Sequence, residues 1–348
     1  MYKKMHRKIL TRQKRKFVLI PVLIPVLGLL FLLGSCAKSQ AGQQVSETRL
    51  LLDTYCSITI HGAADEQTLI NILDRAFEMC LEYEKLFSIT IEGSDVWRIN
   101  HAGGEPVEVD AHTLEVIKTG LVFGELSYRM FDITIGRLSR LWDFGNSYTV
   151  PETSEIDEAQ MTVDFGQMSI DGNIIQLKYS DTWIDLGAIA KGYIADRIAE
   201  YLTEQGVQGA LIDLGGDIVA IGNRSDGSPW RIAVRNPFSS SDEYIGVLEV
   251  TGASVVSSGT YERGFEENGL WHHHILDPKT GWPVKTDVVS ATVISDKAVN
   301  GEGLSTIAVL LYQWDVSVVF KQIPGFIGAV LVFDDGEVLT YGKVKFLR

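Results

Sequence analysis

The sequence predicts an α+β fold with mostly antiparallel strands and packed helices. Three observations predict it. Apolar stretches of strand length are bounded by turn residues, apolar residues recur at helical spacing between them, and two late apolar stretches meet at Asp335-Gly336, a hairpin signal. No repeat of about 20–50 residues recurs, which excludes a solenoid. No Pro/Ser-rich linker divides the body, and 348 residues accommodate one or two domains.

Taken in order, residues 50–60 read as a strand, and Leu69, Ile72, Leu73, Ala76, Phe77, Cys80 and Leu81 mark one face of a helix. A second helix is predicted over 113–126. Trp183-Ile184-Asp185 ends a strand that passes through Leu186-Gly187-Ala188 into a helix reaching about Gln205. Strands follow at 210–214, 218–221, 231–234, 247–250, 273–276 and 288–295. Residues 303–312 read as helix, and 329–333 with 337–341 as the final hairpin.

Charge divides the chain unevenly. There are 45 acidic and 31 basic side chains, a net charge of −14, yet residues 1–35 hold eight Lys/Arg and no Asp/Glu. The remaining body is therefore at −22, a field that repels nucleic acid. The basic amino terminus, an apolar run over 17–33 and Leu33-Gly34-Ser35-Cys36 have the form of a bacterial lipoprotein signal. On that reading 1–35 is removed, Cys36 is lipidated, and 36–48 tethers a body at 49–348. An uncleaved spanning helix is the alternative, which Pro21 and Pro25 disfavour. Either way the body lies outside the cytoplasm; the lipid-anchored form faces the periplasm from the outer face of the inner membrane. Cys56 and Cys80 remain; export permits a disulfide between them, while the apolar helix position of Cys80 points to a buried free thiol.

Four stretches carry chemistry. Small residues in Asp185-Leu186-Gly187-Ala188-Ile189-Ala190-Lys191-Gly192 let backbone approach a ligand at a strand-to-helix junction, where helix N–H groups and Lys191 favour a phosphate or pyrophosphate. Packing alone also accounts for such residues. Leu214-Gly215-Gly216-Asp217 reads equally as a hairpin turn. Three of the seven histidines sit in Trp271-His272-His273-His274-Ile275-Leu276-Asp277-Pro278-Lys279-Thr280-Gly281, with His272 and His274 expected on one strand face and His273 on the other. No Cys or Glu stands at zinc-ligand spacing, so a single histidine acting as general base is the simpler use. In Glu302-Gly303-Leu304-Ser305-Thr306 a helix opens with a carboxylate and, four residues on, a hydroxyl on the same face. Such oxygens suit Mg²⁺; an ordinary acidic first turn is the plainer reading.

In this order, with Ser94-Asp95 and Asn100, Phe131-Asp132-Ile133-Thr134-Ile135-Gly136, Leu141-Trp142-Asp143-Phe144 and Ser258-Gly259-Thr260-Tyr261, the body resembles the ApbE-like flavin transferases over about 49–348. The resemblance implies a single α+β domain that binds FAD and Mg²⁺, transfers FMN to a Thr hydroxyl of an acceptor protein and releases AMP. Acceptors of the family include subunits of sodium-pumping NADH:quinone reductases (Nqr) and Rnf-type electron-transfer complexes. By position it places metal ligands on the Ala188 carbonyl, Glu302 and Thr306, with Ser305 adjacent. Nucleotide contacts fall on Met130, Phe131, Asp132, Asp185, Lys191 and Leu276, and an apolar flavin contact on Leu52. His274 falls on the proton-accepting position, and Lys191 supplies positive charge at the pyrophosphate.

The chain departs from the family pattern at three places. Leu52-Asp53-Thr54 replaces Met-Gly-Thr, Thr90 follows Phe87-Ser88-Ile89 where an aromatic is usual, and Glu302 replaces an Asp. The longer Glu302 makes Ca²⁺ an alternative to Mg²⁺. An FAD pyrophosphatase and a non-catalytic flavin-binding lipoprotein are the alternative functions.

Overall fold

Two left-handed residues, Leu52 (φ 54°) and Asp53 (φ 55°), reverse the chain between β1 (Gln43–Leu51) and β2 (Thr54–Gly62). A two-residue turn with both φ positive matches the twist of the strands it joins. The computed structural model describes residues 43–239, 243–311 and 313–348, and only the backbone of 313–314. The signal segment, Cys36 and the first part of the tether lie outside the described residues.

The expected single strand at 50–60 is thus a hairpin, and β1 begins inside the stretch expected to be tether. Its residues hide from pattern reading because β1 is a polar edge strand. Ser46 pairs with Thr59 at 2.7 Å and Thr48 with Ser57 at 2.8 Å through their hydroxyls, a cross-strand ladder with no apolar alternation.

The chain continues through α1 (Glu66–Phe87), α2 (Asp95–His101), β3 (Val107–Glu108), α3 (Ala111–Leu126), α4 (Gly136–Trp142), α5 (Thr153–Gln160), β4 (Met168–Asp171) and β5 (Ile174–Leu177). Next come α6 (Ala190–Glu204), β6 (Gly209–Leu214), β7 (Asp217–Ile221), β8 (Trp230–Arg235), β9 (Tyr244–Val250) and β10 (Ala253–Gly259). The last part holds β11 (Gly264–Glu267), β12 (Leu270–His273), β13 (Val288–Ser295), α7 (Ala298–Leu310), α8 (Gln313–Phe320), β14 (Phe326–Phe333), β15 (Val338–Gly342) and β16 (Phe346–Leu347). Among these, no helix is long and apolar enough to cross a membrane.

Eight strands form one antiparallel sheet in the order β1-β2-β6-β7-β10-β13-β14-β15. Because side chains alternate across a strand, neighbours enter different cores: Val219, Val256, Val293 and Leu331 face one, Ala220, Val255, Ile294 and Val330 the other. The first core is closed by α1, α6 and α7 through Leu73, Phe77, Ile198, Leu304 and Ile307. Fully burying a side chain such as Phe77 stabilises by roughly 1.5–3 kcal/mol. The second is closed by β8, β9 and β16 with Trp230, Ile232 and Leu248. A third cluster, Leu138, Trp142, Ile156, Phe265 and Leu276, joins α4 and α5 to the β11–β12 hairpin. The fold is α+β, as expected.

Three local expectations are corrected. Trp183 forms only a bridge to Ile135 rather than ending a strand. The strand expected at 273–276 ends at His273, because Asp277 turns the chain: its carboxylate accepts from Lys279 N at 2.8 Å and its N–H donates to the Trp282 carbonyl at 2.8 Å. Finally, α7 starts at Ala298, so Glu302 sits in its second turn rather than opening the helix. The missing start signal lies far off in sequence: Asp196 of α6 accepts from Ala298 N at 2.7 Å and Val299 N at 3.0 Å. Burial raises that carboxyl to about 6 against the pull of the two N–H donors.

Candidate active site

At one end of these elements a cavity of about 580 Å³ is lined by Leu52, Met130, Phe131, Asp132, Asp185, Ala188, Lys191, His274, Leu276, Glu302 and Thr306. All but one of the predicted site residues within the described chain therefore meet in one place. Ser305 is the exception: it is buried behind the wall, where its hydroxyl meets that of Ser258 at 2.8 Å and donates to the Glu302 carbonyl at 3.0 Å.

The wall at 185–192 is held from behind. Ser94 caps α2 by accepting from Trp97 N at 2.9 Å, and Asn100 of that helix clamps the Ile184 main chain, donating to its carbonyl at 2.9 Å and accepting from its N–H at 2.7 Å. The next residue, Asp185, accepts from Gly187 N at 2.8 Å and fixes the loop into α6. Gly192 then allows α6 to cross α7 closely: a Cβ there would lie 2.6 Å from the Ala298 carbonyl oxygen.

Lys191, in the first turn of α6, donates to Asp217 and, at 3.0 Å, to Glu302 Oε1. The other Glu302 oxygen accepts from Gly192 N at 2.7 Å. Asp217 and Glu302 are buried. Burial raises both carboxyls, and the charge of Asp217 lifts Glu302 further, to about 8, while Lys191 opposes the rise in each. Burial disfavours the ammonium, yet the two carboxylates together keep it firmly protonated. With Glu302 lifted to about 8 the cluster is close to neutral at pH 7, and a bound cation would draw the Glu302 proton off.

Among the described residues no group of three His, Cys, Asp or Glu converges as a metal cluster. The available donors are oxygens of mixed kind: Glu302, Asp217, the Ala188 main chain and Thr306, whose hydroxyl lies 3.2 Å from that of Ser258. Once Glu302 is ionised the set carries one excess negative charge, and its oxygens fit a hard cation.

His274 Nδ1 donates to the Arg263 carbonyl at 3.2 Å, which leaves Nε2 as the acceptor of a neutral ring. Burial lowers this imidazole to about 4, so it is neutral at pH 7. Its neighbours have other tasks. His272 packs on Trp142, with centroids 5.7 Å apart, and buried His273 donates from Nε2 to the Val284 carbonyl at 3.1 Å. Asp132 is fully engaged: its carboxylate accepts from Thr134 N at 2.8 Å, Thr134 Oγ1 at 2.6 Å and Phe165 N at 3.2 Å. Despite those donors, burial raises it.

The site also contains groups that sequence reading did not assign. Asp217 follows a Gly-Gly turn, Ser258 stands one residue before the end of β10, and Glu262 lines the cavity, lifted to about 7 by burial beside Asp217 and against the pull of Lys191. Asp217 and Ser258 lay within recognised motifs; Glu262 carried no signal of its own.

The ApbE family model matches residues 52–327. The chain belongs to the ApbE family. An FAD:protein FMN transferase of Treponema pallidum is 30% identical over 322 residues, covering 88% of this chain and 89% of the relative. One of Klebsiella pneumoniae is 36% identical over 240 residues, covering 68% and 74%. Among solved structures, the ApbE protein of Thermotoga maritima superposes with a TM-score of 0.78 at 32% identity, and the flavin transferase ApbE of Vibrio cholerae with 0.75 at 28%. Each alignment covers 86% of this chain and 97% of the other. As an ApbE family member the chain is a transferase, and the cavity is the place to look for its chemistry.

Proposed function

We propose that this chain transfers FMN from FAD to a Thr hydroxyl of an acceptor protein and releases AMP, with Mg²⁺ bound. The observation that carries the reading is the convergence, in one cavity, of a neutral His274 with a free Nε2 and the Lys191–Asp217–Glu302 cluster. The acceptor oxygen attacks the phosphorus of the FMN half. The bond to the bridging pyrophosphate oxygen breaks, AMP leaves with that oxygen, and the hydroxyl proton passes to His274 Nε2. Lys191 stabilises charge on the phosphoryl oxygens.

Ala188, Glu302 and Thr306 would hold the cation, with Asp217 beside them and Ser305 bracing the wall. When bound, Mg²⁺, or Ca²⁺ in its place, neutralises pyrophosphate charge. Leu52, Met130, Phe131, Asp132, Asp185 and Leu276 would contact the nucleotide. The proposed setting is the outer face of the inner membrane, with Cys36 lipidated and Rnf- or Nqr-type subunits as acceptors.

A second reading, hydrolysis of FAD to FMN and AMP, is favoured by Thr90. It lines the cavity where the family resemblance leads one to expect an aromatic ring, leaving room for water as acceptor. One experiment separates the two: AMP release from FAD is followed with and without a Thr-bearing acceptor domain. Release that requires acceptor, with FMN covalently gained by it, supports transfer; undiminished release without acceptor supports hydrolysis.

A further inference from the structure

Between Glu262 and Arg263 on one side and His274 on the other, all lining the cavity, the chain makes a detour. There β11 and β12 form a two-stranded sheet of their own, and among the described residues no further strand pairs with either. One face is rooted: Phe265 and His272 pack on Trp142 at centroid distances of 6.4 and 5.7 Å. The opposite face carries Trp271, which is 50% exposed, and beside it at the tip Leu270 is 65% exposed. The Trp271 ring is nonetheless fixed. Its indole N–H donates to the Thr260 carbonyl at 2.7 Å, and the ring lies over Gly264, where a Cβ would come within 2.7 Å of it. An exposed indole held in one orientation is a preorganised contact surface, since little side-chain freedom is left to lose on binding.

We propose that the β11–β12 hairpin docks the acceptor: an extended acceptor segment adds along a free hairpin edge, packs an apolar side chain on Trp271 and delivers its hydroxyl residue to His274. The inference rests on the transfer reading. Transfer requires polypeptide at His274, and β12 runs directly into that residue. Trp271 and His274 are three positions apart in sequence, about 10 Å of extended chain, so the apolar side chain should stand within about three residues of the acceptor Thr. Edge pairing supplies main-chain affinity, and the indole supplies selectivity. Glu266 and Glu267 against Arg263 leave the hairpin acidic, which fits a neutral or basic segment and disfavours an anionic lipid surface.

The test gives the full chain FAD, Mg²⁺ and an array of short Thr-centred peptides differing in the residues around the Thr, with covalent FMN read by mass. The wild-type protein should prefer peptides with a nearby apolar residue. Trp271→Ala should abolish that preference and raise KM for the best peptide about tenfold with kcat little changed, and Trp271→Phe should recover most of it. N-methylation of the peptide's backbone amides should weaken modification. Unaltered selectivity and KM in Trp271→Ala overturn the docking assignment, as does loss of FAD affinity in that variant, which would place the indole in the nucleotide site. AMP release by the wild-type protein with no peptide modified overturns the transfer reading itself, and the docking inference falls with it.

Discussion

Lys191 and Glu302 bind α6 to α7 at the cavity wall, with Nζ donating to Oε1 at 3.0 Å while Gly192 N donates to Oε2 at 2.7 Å. One carboxylate thereby fixes both the Lys191 ammonium and the start of its helix. Asp217, the first residue of β7, completes the arrangement.

Removing the ammonium leaves two buried carboxyls facing each other. Lys191→Met should cost about 3–5 kcal/mol of stability near pH 8. Raised carboxyls are easier to protonate in the folded state than in the unfolded one, so the deficit should shrink as pH falls towards 5. Urea unfolding at a series of pH values checks this, and a loss independent of pH would contradict the electrostatic account. FMN transfer should fall by about 10²–10³-fold.

His274→Ala should lower transfer by about 10²–10⁴-fold and leave FAD affinity nearly unchanged. Steady-state kinetics and flavin fluorescence titration measure the two separately. Loss of FAD binding would make His274 a ligand contact rather than a base.

Glu302→Ala should abolish measurable Mg²⁺ binding by calorimetry, whereas Glu302→Asp should retain it. Full Mg²⁺-supported activity in the alanine variant would place the cation on other residues.

Buried His273 is lowered from 6.5 to about 4, chiefly by loss of hydration. The unfolded chain binds the extra proton first, so this group's contribution is complete above pH 6.5 and is lost as pH falls towards 4, a change of roughly 3 kcal/mol. His273→Gln should flatten that part of the stability profile. An unchanged acid slope would assign it to other groups.

Gly192→Ala should destabilise by about 1–3 kcal/mol, because its methyl group would press on the Ala298 carbonyl. Thermal unfolding reads the shift; an unchanged midpoint would mean that α6 and α7 can separate without penalty.

What the sequence disclosed depended on distance along the chain. Lys191 after a run of small residues and Glu302 four residues before Thr306 stood out because each motif is local, whereas His274 was distinguished from its two neighbouring histidines only by the family resemblance. The start of α7 was not, since its capping group is Asp196 on another helix. Asp217 looked like part of a turn, and only the fold shows its carboxylate meeting Lys191. β1 escaped notice because a polar edge strand lacks the alternation by which strands are recognised.

The register that pairs Cys56 with Leu214 has a temporal consequence. β2 cannot find its inner neighbour until residues 63–208 have emerged behind it into the compartment where the chain folds. Until then the Leu52–Asp53 turn has no sheet behind it, and the nascent chain exposes an unpaired strand edge throughout that interval. Sheet closure between β2 and β6 is therefore a late, long-range event that should set the folding rate, and the cavity is complete only once α7, with Glu302 and Thr306, has joined.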